Sequence, residues 1–141
     1  PRAETRPTKP DGGYVATDQA IASATMYTAR QTQKVKCIVA MTESGTTPLL
    51  MSRYGSRLPI FAFSRYPATL RKAALFRGVQ PVLFQSGEIP YIETNARALE
   101  ILMEKEGLED GDLVLITKGD SANVHGGTNT MKILQVGTEI T

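Results

Sequence analysis

The chain has no tryptophan, one cysteine and one histidine in 141 residues, and each scarcity removes a class of chemistry. A single thiol, Cys37, cannot close an intramolecular disulfide, and its place inside the apolar run 35–41 points to a buried, inert side chain. With His125 as the lone histidine, neither a multi-histidine metal site nor a paired Cys–His couple is easily assembled. No run of about 18 apolar residues is present to span a membrane, and the N-terminal residues lack the apolar core of a signal peptide. Cytoplasmic location is the expectation. The formal charge of +2 is too small to imply nucleic acid. Arg53, Arg57, Arg65, Arg71, Lys72 and Arg77 are expected on the solvated faces and flanks of two helices rather than in one binding stripe.

What is there reads as one domain with a tail. Residues 1–14 carry Pro1, Pro7 and Pro10, five charged side chains and Gly12-Gly13, a linker composition. The start at Pro1 gives the expectation that the chain was cut from something longer. Over 15–141, short β-branched or aromatic runs alternate with amphipathic stretches, the rhythm of βαβ units. Thr17-Asp18 offers a cap and a first-turn acid for a helix over 17–32, whose small face is Ile21, Ala24, Thr25, Thr28 and Ala29. Strands are predicted at 35–41, 60–63, 79–84, 113–117 and 130–136, and further helices at 48–55, 68–76 and 92–106, the last closed by Gly107. Runs apolar on consecutive residues suit parallel strands covered on both faces. The final strand follows a glycine-rich loop with no helix between, so it is predicted antiparallel. The expected fold is an α/β three-layer αβα sandwich whose sheet has about five strands, mainly parallel.

In such sheets ligands sit outside the carboxyl ends of strands, near the point where strand order reverses. Two segments stand at such ends. The first is Thr42, Glu43, Ser44, Gly45, Thr46 and Thr47, a hydroxyl-bearing turn before a predicted helix. Backbone N–H groups there point outward unpaired and the helix dipole favours an anion. Thr47 is placed to cap a helix starting at Pro48, which explains one hydroxyl; Thr42, Ser44 and Gly45 exceed what one cap needs. The second segment runs through Lys118, Gly119, Asp120, Ser121, Ala122, Asn123, Val124, His125, Gly126 and Gly127. The first turn is not a nucleotide-hydrolase loop, because no lysine follows its glycine, and not a cysteine phosphatase cradle, because Cys37 lies upstream inside a strand. Asp120 and Glu43 are the nearby carboxylates, without a defined partner for acid–base work.

Met41-Thr42-Glu43-Ser44-Gly45-Thr46-Thr47-Pro48, Ser52-Arg53-Tyr54, Leu58-Pro59-Ile60-Phe61-Ala62 and Leu75-Phe76-Arg77-Gly78-Val79-Gln80-Pro81-Val82, in this order and spacing, resemble the C-terminal domain of pyruvate kinase. Gly111-Asp112-Leu113-Val114 and Gly127-Thr128-Asn129-Thr130-Met131-Lys132-Ile133-Leu134 extend the resemblance over nearly everything after Tyr14. It implies a regulatory and assembly domain beside a catalytic barrel, in a homotetramer that converts phosphoenolpyruvate and ADP to pyruvate and ATP. The barrel's metal-binding acids have no counterpart here, so the resemblance implies no catalytic residue and no cofactor in this chain; magnesium and potassium belong to the full enzyme. It also implies that Thr42, Glu43, Ser44, Gly45, Thr46 and Thr47 hold the phosphate of a sugar-phosphate effector, and that Lys118, Gly119, Asp120, His125, Gly126 and Gly127 belong to a loop closing over the sugar. Family members that bind a bisphosphate use tryptophan and arginine in that loop, whereas this chain offers Lys118 and His125. Glu43 beside a dianion is repulsive unless it points away or pairs with a cation. The expected effector is therefore a sugar or nucleoside monophosphate.

Three other readings stay open on the residues. One is a free-standing phosphometabolite-binding domain of the same fold. Another is a small phosphohydrolase, which lacks a nucleophile, base or metal cluster. The third is a structural domain pairing its last strand and a helix across a two-fold axis.

Overall fold

The computed structural model describes residues 14–119 and 127–141. In chain order the elements are α1 (Thr17–Gln31), β1 (Val35–Met41), α2 (Thr46–Ser52), β2 (Ile60–Ser64), α3 (Pro67–Ala73), β3 (Val79–Leu83), α4 (Thr94–Glu106), β4 (Leu113–Lys118) and β5 (Thr130–Gln135). Two short 3-10 turns, Ser86–Glu88 and Tyr91–Glu93, precede α4. The sheet order is β3-β2-β1-β4-β5, parallel except for the antiparallel β4–β5 pair. This is the α/β sandwich that the alternating pattern predicts, with the last strand antiparallel as expected.

Side chains alternate across the pleat, so each central strand feeds both faces of the sheet. Cys37, Val39, Phe61, Phe63, Val114 and Ile116 pack toward Ala98, Leu99 and Leu102 of α4. Ile38, Ala40, Ile60, Ala62 and Leu115 pack toward Ala22 and Met26 of α1, Met51 of α2 and Ala73 of α3. The consecutive apolar runs in the sequence thus become two cores separated by one sheet. Pro81 lacks an N–H, and β3 tolerates it as an edge strand that, among the described residues, pairs only with β2.

Local boundaries differ from the sequence expectation for identifiable reasons. α1 is flanked by Ala16 with no side-chain cap, so Thr17 is the first helical residue, not the cap; Asp18 remains in the first turn. Its buried positions are Ala22, Thr25 and Met26, while Ala24 is exposed. The face is rotated because Met26 outcompetes the smaller residues for the core, and the Thr25 hydroxyl donates to the Ile21 carbonyl at 2.7 Å instead of needing a tertiary partner. α2 begins at Thr46 rather than Pro48, and its flanking residue is Gly45 at φ 89°, so Thr47 lies inside the helix and caps nothing. Pro48 at the third position has no N–H to leave unpaired.

After β5 the chain turns tightly: the Gly111 N–H donates to the Val136 carbonyl and the Val136 N–H to the Asp112 carbonyl, both at 2.9 Å. Gly137 sits in this corner at φ 98°, where an added Cβ would lie 2.9 Å from Asp110 Cγ. Replacing Gly137 with Ala is expected to destabilise the fold by about 1–3 kcal/mol, read as a lower urea midpoint at unchanged slope. Cys37 is fully buried, and that burial, followed by the charges of Glu106 and Asp112, pushes its thiol from 9.0 up to about 12. A thiol raised in the folded state stabilises below its unfolded value and loses that contribution as pH rises. Stability should accordingly fall between pH 9.0 and about 12, a slope that Cys37→Ala removes, and native Cys37 should resist thiol reagents that modify the urea-unfolded chain.

Candidate functional site

The strand order reverses between β1 and β4: after β1 the chain steps outward to β2 and β3, then returns to the other side of β1. The loops leaving the carboxyl ends of β1 and β4 therefore diverge, and a cleft of about 730 Å³ opens there. Its volume suits a small metabolite.

One wall is the turn after β1. The Thr42 N–H donates to the Phe63 carbonyl at 2.9 Å, tying the turn to β2. The Gly45 N–H donates to Thr42 Oγ1 at 2.8 Å, and the Thr46 N–H to Ser44 Oγ at 3.3 Å. Ser44 Oγ and Thr46 Oγ1 share a further hydrogen bond of 3.0 Å. These bonds at Ser44 and Thr46 are exposed, so an anion can replace them without stranding a buried group. Gly45 is required by its positive φ; above it Lys72 Cε and Thr69 Cγ2 approach within 3.4 and 3.5 Å of where a Cβ would stand. Thr69 Oγ1 donates to the Glu43 carbonyl at 2.5 Å, fastening the turn to α3.

Glu43 is paired: Arg65 Nη2 lies 3.2 Å from Glu43 Oε2. The condition that the sequence reading set for a carboxylate beside an anion is met by Arg65, one residue beyond β2. Arg65 lines the cleft, rests 5.0 Å from the Tyr66 ring centroid, and packs so close to Gly87 that a Cβ there would fall 2.9 Å from its Nη1.

The opposite wall comes from β4 and the segment before α4. Lys118, 8% exposed, donates from Nζ to Thr94 Oγ1 at 2.9 Å, with Nζ 4.2 Å from the centroid of the Tyr91 ring. Thr94 in turn donates to the Tyr91 carbonyl at 2.8 Å, and the Tyr91 hydroxyl donates to the Gly119 carbonyl. Burial, then the charge of Lys132, holds the Lys118 amine below the ordinary lysine pKa. Across the cleft, Thr47 Oγ1 and Thr128 Oγ1 share a buried 2.7 Å hydrogen bond that joins α2 to the segment leading into β5.

The structure thus gathers Thr42, Glu43, Ser44, Thr46, Thr47, Lys118, Gly119 and Gly127 around one cleft, with Gly45 beneath it. Asp120, His125 and Gly126 lie outside the described residues. Sequence reading missed Asp18, Arg65, Tyr91, Thr94 and Thr128, all of which line the cleft. Arg65 could have been found by applying the strand-end rule to β2; Tyr91 and Thr94 are placed by 3-10 turns with no periodic signal. Among the described residues no group of three His, Cys, Asp or Glu can hold a metal ion, and no helix is long and apolar enough to cross a membrane.

Residues 19–134 match the family described as pyruvate kinase, alpha/beta domain. The chain is 45% identical over 119 residues to pyruvate kinase II of Salmonella typhimurium, covering 84% of this chain and 25% of the relative. It is 42% identical over 123 residues to a pyruvate kinase of Buchnera aphidicola, covering 87% of this chain and 25% of the relative. A crystal structure of a Cryptosporidium parvum pyruvate kinase superimposes with a TM-score of 0.73 at 28% identity, over 86% of this chain and 23% of that one. The chain spans about a quarter of the length of these relatives. A match over most of the chain, carried by the same sheet in solved relatives, places it in the pyruvate kinase family as the C-terminal α/β domain.

Proposed function

We propose that this domain binds a phosphorylated metabolite as an allosteric effector and contributes to assembly of a cytoplasmic homotetrameric pyruvate kinase. In that enzyme the phosphoryl transfer from phosphoenolpyruvate to ADP belongs to a separate barrel, with its magnesium and potassium. The single observation that carries the effector reading is the cleft at the β1–β4 reversal, where the exposed Ser44 and Thr46 hydroxyls stand at the start of α2. Phosphate oxygens accept from hydroxyls and from first-turn N–H groups, and the helix dipole favours their charge. The assembly reading is supported by β5, which among the described residues pairs on one side only and exposes half of Ile133.

The charge balance favours one phosphate over two. Arg65 is already offset by Glu43, and Lys118 is buried against Thr94 and Tyr91. A sugar or nucleoside monophosphate uses the turn at Ser44 and Thr46 and leaves the rest of the cleft to hydroxyl contacts. Calorimetry on the chain should show ribose 5-phosphate, glucose 6-phosphate or AMP binding more tightly than fructose 1,6-bisphosphate; the reverse order rejects the monophosphate reading. In the complete enzyme, Ser44→Asp sets a carboxylate against the incoming phosphate and should weaken activation by about tenfold or more. An unchanged response to effector removes this turn from the site.

A further inference from the structure

Lys118 is not explained by the phosphate seat. A strand-end lysine that served only solubility would extend into water, yet this one is 8% exposed and lines the cleft. Its place is set by the sheet: Ala40 of β1 pairs with Thr117 of β4, so Lys118 follows directly beside Met41, which leads into the hydroxyl turn. Thr94 spends its proton on the Tyr91 carbonyl and turns a lone pair to Nζ, while the Tyr91 ring covers one side of the amine. Once its ammonium proton has passed to solvent, an amine fixed in this way inside the cleft is a nucleophile held in position.

We propose that the Lys118 amine forms a reversible imine with the open-chain aldehyde of an aldose phosphate seated in the cleft, which makes the site distinguish aldehyde-bearing sugar phosphates from nucleoside monophosphates. The proposal rests on the effector reading given above. In the step, the nitrogen lone pair attacks the aldehyde carbon and forms the C–N bond. Both amine protons then leave with the carbonyl oxygen as water, and the C=N bond forms with no oxidant or reductant. The burial of Lys118 lowers its proton affinity and so raises the share of the amine in the neutral, attacking form. A nucleoside monophosphate has its anomeric carbon locked to the base and offers no aldehyde.

The test traps the imine by incubating the chain with ribose 5-phosphate and cyanoborohydride, followed by peptide mapping. Because the seated phosphate raises the local aldehyde concentration, labelling at Lys118 should exceed that at the exposed Lys34 and Lys36 by about tenfold. Excess ribitol 5-phosphate, which lacks the aldehyde, should suppress it, and unphosphorylated ribose should label Lys118 no more than its neighbours. Lys118→Arg, which keeps the positive charge but cannot form the imine, should lose the adduct. Even labelling across the lysines, or labelling at Lys118 that ribitol 5-phosphate does not suppress, overturns the proposal. If ribitol 5-phosphate binds the unaltered chain and no adduct forms, the imine alone falls; if no sugar phosphate binds, the effector reading falls with it.

Discussion

The parallel pairing of β1 with β4 is the constraint on which the rest of this domain depends. It places two strands that are distant in sequence side by side, Ile38 against Leu115 and Val39 against Ile116. All four side chains are essentially inaccessible to water, and burial of such residues stabilises by about 1.5–3 kcal/mol each. Because the chain leaves these strands in opposite lateral directions, their carboxyl ends cannot be bridged by one loop. The cleft is a consequence of topology. A register slip of one residue would exchange the two apolar faces and move both cleft walls at once.

Much of this was legible in the residues. Consecutive apolar runs identify strands buried on both faces, and the glycine-rich approach to Thr130 identifies the antiparallel strand. The run of hydroxyls after Met41 marks the turn at the carboxyl end of β1 that lines the cleft. What stayed hidden depends on tertiary competition. The α2 boundary moved because Gly45 adopts a left-handed conformation that lets the helix begin two residues earlier. Thr47 looked like a cap from its neighbours, but its hydroxyl is consumed by Thr128, 81 residues away. No local pattern reveals such a bond. Arg65 was grouped with solvated helix cations, and only the adjacency of β2 to β1 brings it to Glu43.

The electrostatics of the cleft follow from these long-range placements. The Arg65–Glu43 pair is partly exposed on both sides, so its contribution to stability is small, as for surface pairs generally. Its effect is on the charge presented to a ligand: the carboxylate is neutralised where an anion would approach, and the guanidinium is not left as a free second phosphate seat. Lys118 is constrained differently. Burial, then the charge of Lys132, opposes its charge and lowers its pKa, while the Thr94 hydroxyl and the Tyr91 ring contact the amine. Among the described residues, Arg65 and Lys118 thus present far less positive potential to the cleft than two free cations would.

The hydrogen bonds around the cleft fall into two sets that respond differently to a ligand. Those at Ser44 and Thr46 are exposed and exchange with water or phosphate at little cost. The Thr47–Thr128 bond is buried, and breaking it would leave two hydroxyls without partners away from water. A phosphate can rearrange the first set while the second holds α2 and the approach to β5 as one body. Any shift a ligand produces must come from contacts that differ between two states of the protein. The exchangeable hydroxyls are the groups whose contacts a phosphate would alter, and the buried threonine pair ties α2 to the segment that leads into β5.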